Sequence, residues 1–181
     1  QMELTDDERQ AASELIYIKE YEKGSILLKE GEIATESYFN LKGLVRLYYL
    51  VDGDERTTTF FVEGEPICSL QSYTHQIPAN HYMECVEDCK LAVFTYENEK
   101  KLYERAPRFE ALCRIDIEKE FGKHQERLSS YITHSPEQRY LKLIEEQPDL
   151  LQRVPQYHLA SYLGVKPESL SRIRKRVALR D

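Results

Sequence analysis

The residues best suited to bind a polyanion lie together near the C-terminus. Residues 135–181 carry 9 Lys and Arg against 6 Asp and Glu, whereas residues 1–134 carry 16 against 26, so the net charge of -7 hides a basic C-terminal quarter. Within residues 166–180, Glu168 is the one acidic residue. Such a field suits a polyanion such as DNA. The cations of this cluster are Lys166, Arg172, Arg174, Lys175, Arg176 and Arg180.

The same segment has the spacing of a helix-turn-helix. Ala160 is small enough for the close crossing of two short helices, and Gly164 can supply the positive φ of the turn. Pro167 fits the first turn of the second helix, where its missing N–H costs little. Apolar residues fall where a three-helix core needs them, at Leu159, Leu163, Val165, Leu170 and Ile173. An ordinary helical hairpin is the alternative interpretation, and the basic second helix favours DNA binding.

The exposed face of this second helix is predicted to contact DNA. Its cations can donate to guanine edges and phosphates, and Glu168 can accept from cytosine N4. The candidate DNA-binding residues are Gln156, Lys166, Pro167, Glu168, Ser169, Arg172, Lys175 and Arg176.

The first half of the chain, which must help to position this segment, is predicted to consist of β-strands. From Tyr17 to about Tyr96, short runs of β-branched and aromatic residues are separated by turns with a polar residue before glycine, and Asp52-Gly53 is the strongest hairpin signal. Eight strands are predicted, which implies a sandwich or a barrel. The predicted strands are residues 17–21, 26–29, 37–41, 45–51, 57–62, 67–70, 82–86 and 91–95.

After Tyr96 the residues are mostly helix formers. We predict a short helix over 97–105, a long helix over 108–132 of roughly 37 Å, and a third helix that Ser135 and Pro136 open and Pro148 ends. Residues 149–154 are predicted to be a connector.

The long helix carries a stripe at steps of three and four residues, which is typical of a helix that meets a like helix. The predicted dimer seam consists of Ile117, Phe121, His124, Leu128 and Tyr131. Packing of this stripe against the chain's own β half is the alternative. A long helix with few local partners favours the homodimer.

In this order, the β half, the long helix and the helix-turn-helix resemble the Crp/Fnr family of bacterial transcription regulators. Lys23-Gly24, Glu30-Gly31, the run 38–48, Asp52-Gly53 and Gly64-Glu65 carry the resemblance in the β half. The resemblance implies an α+β fold with three parts. These are an N-terminal β jelly roll of the cyclic-nucleotide-binding type, a double-stranded β-helix, over 1–106, a dimerisation helix over 107–134, and a helix-turn-helix domain of winged-helix type over 135–181.

The resemblance also implies a function, that of a sequence-specific transcription regulator. It would bind a near-palindromic operator in double-stranded DNA as a homodimer, with RNA polymerase as a further candidate partner. Glu168, Ser169 and Arg172 stand where the family places its base-reading residues. The alternative is a constitutive DNA-binding protein whose jelly roll is only a dimerisation or docking scaffold. We do not expect an enzyme, because the sequence has no nucleophile elbow and no Gly-rich phosphate loop.

The effector pocket is where the sequence departs from the family. Members that bind cyclic AMP follow their Gly-Glu pair with an Arg and a hydroxyl residue, which contact the cyclic phosphate. Here Ala79 stands at the place of the Arg and Asn80 at that of the hydroxyl residue. Cyclic AMP is therefore not expected as the effector, whose identity the sequence leaves open. The candidate pocket residues are Gly64, Glu65, Cys68, Ser69, Asn80 and His81.

The four cysteines are few and scattered, so we expect reduced thiols in a cytoplasmic protein. None precedes Cys68, which argues against the iron-sulfur sensor of the Fnr branch, while haem ligation by a histidine stays open. Cys85 and Cys89 have a loosely metal-like spacing, but two packing thiols are the preferred interpretation, and no metal site is predicted. No run approaches the roughly 18–20 apolar residues of a membrane-spanning helix. Whether Gln1 is the natural start is also left open, since no initiator Met precedes it.

Overall fold

The computed structural model describes residues 4–179, and within them the chain forms two compact units. The first contains the chain up to Leu47 together with Phe60–Glu120. The second contains Tyr48–Thr59 and the chain from Phe121 onward. The boundaries predicted at residues 106 and 134 follow the order of elements along the chain, whereas these units follow spatial contacts. Those boundaries remain a prediction about functional domains.

Eight strands form two four-stranded sheets, as the turn pattern predicts. The strands are β1 (Tyr17–Tyr21), β2 (Ile26–Leu28), β3 (Glu36–Lys42), β4 (Val45–Val51), β5 (Asp54–Phe61), β6 (Pro66–Ile67), β7 (Tyr82–Cys85) and β8 (Cys89–Thr95). One sheet has the order β1-β8-β3-β6 and the other the order β2-β7-β4-β5. Strand β8 lies antiparallel to both β1 and β3, and β2 lies antiparallel to β7. Two antiparallel sheets of four strands are the architecture of a jelly roll.

The hydrophobic core of this jelly roll gathers side chains from both sheets. Ile67 and Leu91 come from one sheet and Val45 and Met83 from the other, and each is at most 1% exposed. Full burial of an aliphatic side chain of this size stabilises the fold by roughly 1.5–3 kcal/mol. The strand pattern of the sequence thus produces one continuous core.

The helices are α1 (Asp6–Leu15), α2 (Leu70–His75), α3 (Tyr96–Arg105), α4 (Arg108–Thr133), α5 (Pro136–Glu146), α6 (Leu150–Arg153), α7 (Gln156–Tyr162) and α8 (Pro167–Ala178). Helix α5 begins as predicted, because the Ser135 Oγ accepts from the Gln138 N–H and the Gln138 Oε1 accepts from the Ser135 N–H. Thr5 and Glu8 make the same reciprocal pair at the start of α1. The sequence reading missed α1, although the Thr-x-x-Glu spacing signals it.

The predicted fold class is confirmed in its main features, an N-terminal β domain followed by helices. Two local predictions are wrong. Residues 68–70 do not continue a strand, since α2 begins at Leu70, and residues 149–154 are not a simple connector, since they contain α6. The winged-helix type of the C-terminal domain stays a prediction, and within residues 4–179 no strand follows β8.

Gly43 is the turn glycine for which the structure leaves least room. Its φ is +97°, and a Cβ atom there would lie 2.5 Å from the Asp88 carbonyl oxygen and 2.7 Å from the Cys89 Sγ. Cys89 is the buried first residue of β8, and the Asp88 carbonyl is backbone directly before it, so neither can move away cheaply.

We predict that Gly43→Ala lowers the free energy of unfolding by about 3 kcal/mol or more, since left-handed strain of about 1–2 kcal/mol adds to overpacking of about 1–3 kcal/mol. Urea unfolding measures the change. Gly53→Ala is the control, because Gly53 has a similar φ of +84° but open space around the added carbon. Equal losses in the two variants would contradict the packing argument.

Candidate nucleic-acid interface

Helices α7 and α8 form the predicted helix-turn-helix. Ala160 is fully buried, and the turn follows a standard helix ending in which the Val165 N–H donates to the Ala160 carbonyl (2.9 Å) and the Gly164 N–H to the Ser161 carbonyl (3.0 Å). This ending needs a left-handed residue, and Gly164 has φ +68°. The small residue and the glycine therefore play the parts that their spacing predicts.

Helix α8 buries one side and exposes the other. Leu170 and Ile173 are 0% and 4% exposed and face the helical core. Ser169 is half-buried. The other candidate DNA-binding residues are exposed, namely Gln156, Lys166, Pro167, Glu168, Arg172, Lys175 and Arg176. Arg180 of the basic cluster lies outside the described residues.

The starts of α7 and α8 flank an open cleft between Gln156 and Arg172. Tyr157 also lines this cleft, and its side chain is largely exposed. The sequence reading missed Tyr157, although an exposed aromatic next to Gln156 is the signal that could have found it. The cleft thus brings together the side chains of Gln156 and Arg172, which can donate hydrogen bonds to bases, and the Tyr157 ring, which can pack on a sugar or a base.

A second groove beside α8 brings the start of α5 to the candidate interface. Ser135 and Pro136 line it together with Ser169 and Arg172. The Arg172 Nη2 lies 3.1 Å from the Ser169 Oγ, so the two predicted base-reading side chains meet. The positive end of the α5 dipole adds to the field of the arginine.

Arg176 has a structural partner that the sequence did not reveal. Its Nε and Nη2 lie 2.9 and 2.8 Å from the Glu137 Oε2, which ties α8 to α5. The Glu137 side chain is largely buried, whereas the Arg176 side chain is half-exposed. Arg176 was predicted only as a DNA contact, and in the structure it also holds α8 in place.

The end of α7 is tied to α4 and α5 by two side chains. The Tyr131 hydroxyl donates to the Tyr162 carbonyl. The Arg139 guanidinium donates to the Leu163 carbonyl through Nη2 (2.9 Å) and Nε (3.2 Å) and to the His134 carbonyl (2.7 Å), and it lies 4.8 Å from the centre of the Tyr131 ring. Burial raises the pKa of Tyr131, which keeps its hydroxyl a donor.

The β4–β5 hairpin also contacts α7. The Ser161 Oγ accepts from the Thr57 N–H (2.8 Å) and donates to the Glu55 carbonyl (2.9 Å). Arg127 of α4 donates to the Thr58 carbonyl and to the Thr59 Oγ1. These contacts explain why residues 48–59 belong to the same compact unit as the helix-turn-helix.

The predicted dimer seam lies on α4. Phe121 and Leu128 are 63% and 65% exposed, Ile117 is 41% exposed, and His124 is exposed as well. The hydroxyl and ring of Tyr131 are already engaged inside the chain, by Tyr162 and Arg139. The seam itself stays a prediction.

The effector-pocket candidates lie in the first unit. Gly64 sits in the turn before β6, where its N–H donates to the Asn40 carbonyl, and the Glu65 carboxylate accepts from the Val62 N–H (3.0 Å). Ser69 is 2% exposed. Burial raises the pKa of Cys68 to about 12.

Asn80 and His81, the remaining two pocket candidates, contact each other. The exposed Asn80 places its Oδ1 3.1 Å from the Nδ1 of His81, which is 8% exposed. Burial lowers the pKa of His81. Ala79 is buried in the core of the jelly roll, and its backbone bonds to Gly31 and Glu32.

Comparisons with known proteins agree with this arrangement. Residues 18–106 match the cyclic nucleotide-binding domain family. Comparison with curated protein sequences yields no match. Three solved structures resemble most of the chain. They are the c-di-GMP responsive regulator CLP of Xanthomonas campestris (TM-score 0.77, 18% identity, 97% of this chain and 93% of that one), a protein described as a Crp/Fnr-family regulator from Eubacterium rectale (0.73, 17%, 98% and 85%), and the catabolite activator protein of Thermus thermophilus (0.59, 20%, 98% and 85%).

The chain has the Crp/Fnr fold. Its residues 18–106 match the cyclic nucleotide-binding domain family, and the resemblance inferred from the sequence is confirmed for the fold. Among the described residues, no helix is both long and apolar enough to cross a bilayer.

The two cysteines with a loosely metal-like spacing lie inside the domain that residues 18–106 form. Cys85 and Cys89 are both buried in the jelly-roll core. A hydrogen bond from Cys85 lowers the pKa of Cys89 and, together with burial, raises that of Cys85. In residues 4–179, no group of three or more metal-binding side chains comes together.

We predict that acid destabilises this cyclic nucleotide-binding domain partly through His81. The folded pKa lies below the unfolded value near 6.5, so the unfolded state takes up the proton first as the pH falls through 6.5. His81→Gln should therefore lose less stability than the wild type between about pH 7.5 and 5.5. Thermal unfolding across that range measures the slopes. His75→Gln, at an exposed histidine of α2, is the control, and the assignment would be refuted by His81→Gln curves that run parallel to those of the wild type.

Proposed function

We propose that this protein is a sequence-specific DNA-binding transcription regulator that places α8 in the major groove. The observation that carries the proposal is the two-sided character of α8. Its apolar residues Leu170 and Ile173 are buried, while Glu168, Arg172 and Lys175 project from the opposite face. A helix fixed on one side and cationic on the other can lie along base edges without unfolding.

The position of each side chain suggests its role. Glu168 and Arg172 lie in the first half of α8, beside the cleft at the start of α7, which suits base contact. Lys175 lies in the last turn, where a flexible cation suits a phosphate. Arg176 is held by Glu137, so we assign it mainly to positioning α8.

The protein acts as a homodimer in this proposal. Exposed apolar side chains on α4, above all Phe121 and Leu128, support it, because each would contribute roughly 1.5–3 kcal/mol when buried in an interface. Two copies related by a two-fold axis would present two α8 helices to a near-palindromic operator. Contact with RNA polymerase remains a prediction that no contact in the structure addresses.

The jelly roll would sense an effector other than cyclic AMP. A cyclic phosphate needs a nearby cation, and Ala79 offers only a methyl group that is already buried in the core. Glu65 already closes its own turn by accepting from the Val62 N–H. Selection of bound DNA from a random pool, with and without metabolite extract, tests the whole proposal. A shared sequence motif is the expected result, and its absence in both pools would refute it.

For the base contact, we predict that Arg172→Ala relaxes preference at one position of each half-site and weakens binding by about 1–3 kcal/mol per half-site. Lys175→Ala should weaken specific and random DNA alike, because phosphates carry no sequence. Fluorescence anisotropy at several salt concentrations measures both, and the Lys175 variant should also show a shallower salt dependence. Equal losses on specific and random DNA for Arg172→Ala would contradict its assignment.

For the seam, we predict that Leu128→Glu converts the dimer to a monomer, because two carboxylates would face each other in a dry interface. Sedimentation velocity measures the change in mass. Leu41→Glu is the matched control, since Leu41 is an exposed leucine that belongs to β3 and not to α4. A Leu128→Glu protein that stays dimeric would remove the seam from the proposal.

A further inference from the structure

A cavity lies where the second half of α4 meets α5 and the end of α7. It has a volume of about 120 Å³, and its walls include Lys123, Arg127, Ser130, Arg139 and Lys142. A single water needs only about 10–15 Å³ of such space, so the cavity has room for a small ion with its hydration. None of the predicted DNA-binding residues lines it.

Basic residues outnumber acidic ones among the residues that line this cavity. Four basic residues line it, against the two acidic residues Glu126 and Glu146. Lys142 pairs with Glu146 at 3.4 Å. The half-buried Arg127 and Arg139 bond only to carbonyl and hydroxyl oxygens, and no carboxylate within residues 4–179 pairs with either. A partly buried guanidinium without a counter-charge is costly, so an anion at this place would be stabilised.

Ser130 adds a hydroxyl that the fold does not use. The residue is only 8% exposed, and it lines the cavity. Its side chain makes no hydrogen bond with any residue that the structure describes, unlike Thr133 one turn later, which bonds to the Ser129 carbonyl (2.8 Å). This hydroxyl is therefore left to bond a group inside the cavity, whose wall Ser130 shares with the guanidinium groups of Arg127 and Arg139.

We propose that this joint cavity binds a phosphoryl group, either as inorganic phosphate or at the end of a small metabolite. Tetrahedral oxygens can accept from Ser130 and from the cations of α4 and α5 together, which a single chloride or a planar carboxylate does less well. The bound group would link α4 to the end of α7. The consequence for operator affinity rests on the proposed function, whereas the binding itself does not.

Isothermal titration of the full chain in a phosphate-free buffer tests the site. Inorganic phosphate is one probe and glucose 6-phosphate the other, with acetate as the anion control. We expect one site per chain with a Kd below about 1 mM for at least one phosphoryl probe. Binding of phosphate alone identifies the free ion, and binding of glucose 6-phosphate alone identifies a phosphorylated metabolite.

Variants locate the site and exclude general charge effects. Ser130→Ala and Lys142→Gln should each weaken binding about tenfold, since each removes a donor to a charged group. Glu146→Gln should strengthen it severalfold, a gain that partial unfolding does not produce. Lys101→Gln, at an exposed lysine of α3, is the charge-matched control and should bind as the wild type does.

Two results would overturn the proposal. One is no saturable binding of either phosphoryl probe, and the other is binding that all three cavity variants leave unchanged. Because the titration contains no DNA, neither result bears on whether the protein recognises an operator.

Discussion

The helix-turn-helix depends on how four carbonyl groups at the end of α7 are satisfied. Every helix leaves its last four carbonyls without partners inside the helix. Here the backbone of the turn itself takes two, those of Ala160 and Ser161. Tyr131 takes the Tyr162 carbonyl and Arg139 takes that of Leu163. The angle between α7 and α8 is therefore set partly by side chains of α4 and α5, and the candidate DNA face follows from it.

Some of these bonds are local in the sequence and others join distant residues, and this difference explains what the sequence could predict. The strands and the turn at Gly164 were predictable because their signals are local. A polar residue beside a glycine marks the turns between strands, and a small residue four positions before Gly164 marks the helix-turn-helix. Helix α6 was missed because four residues after a proline carry no periodic pattern. The bond between Arg176 and Glu137 was out of reach because it joins residues 39 positions apart. Neither residue type nor spacing announces such a pair.

The two candidate sites differ in the same way. The exposed face of α8 was predictable as a set, because helical geometry places its residues together, while contact of this face with DNA stays a prediction. The effector pocket was predictable only by analogy, since Gly64 and His81 come from separate segments. The structure adds two observations that argue against a cyclic phosphate as the ligand. Ala79 is buried in the core, and the Glu65 carboxylate is already bonded within its own turn. These features narrow the chemistry of the ligand without naming it.

The Ser161 hydroxyl, which accepts from Thr57 and donates to Glu55, bears on whether the helix-turn-helix can be moved to another protein. If only α7 and α8 were grafted onto another scaffold, the Ser161 side chain and two carbonyls at the end of α7 would lose their hydrogen-bond partners. A chimera should therefore include the tip of the β4–β5 hairpin and the end of α4 together with the helix-turn-helix. The part of the protein that has to be transferred intact therefore comes from two segments that are far apart in the sequence.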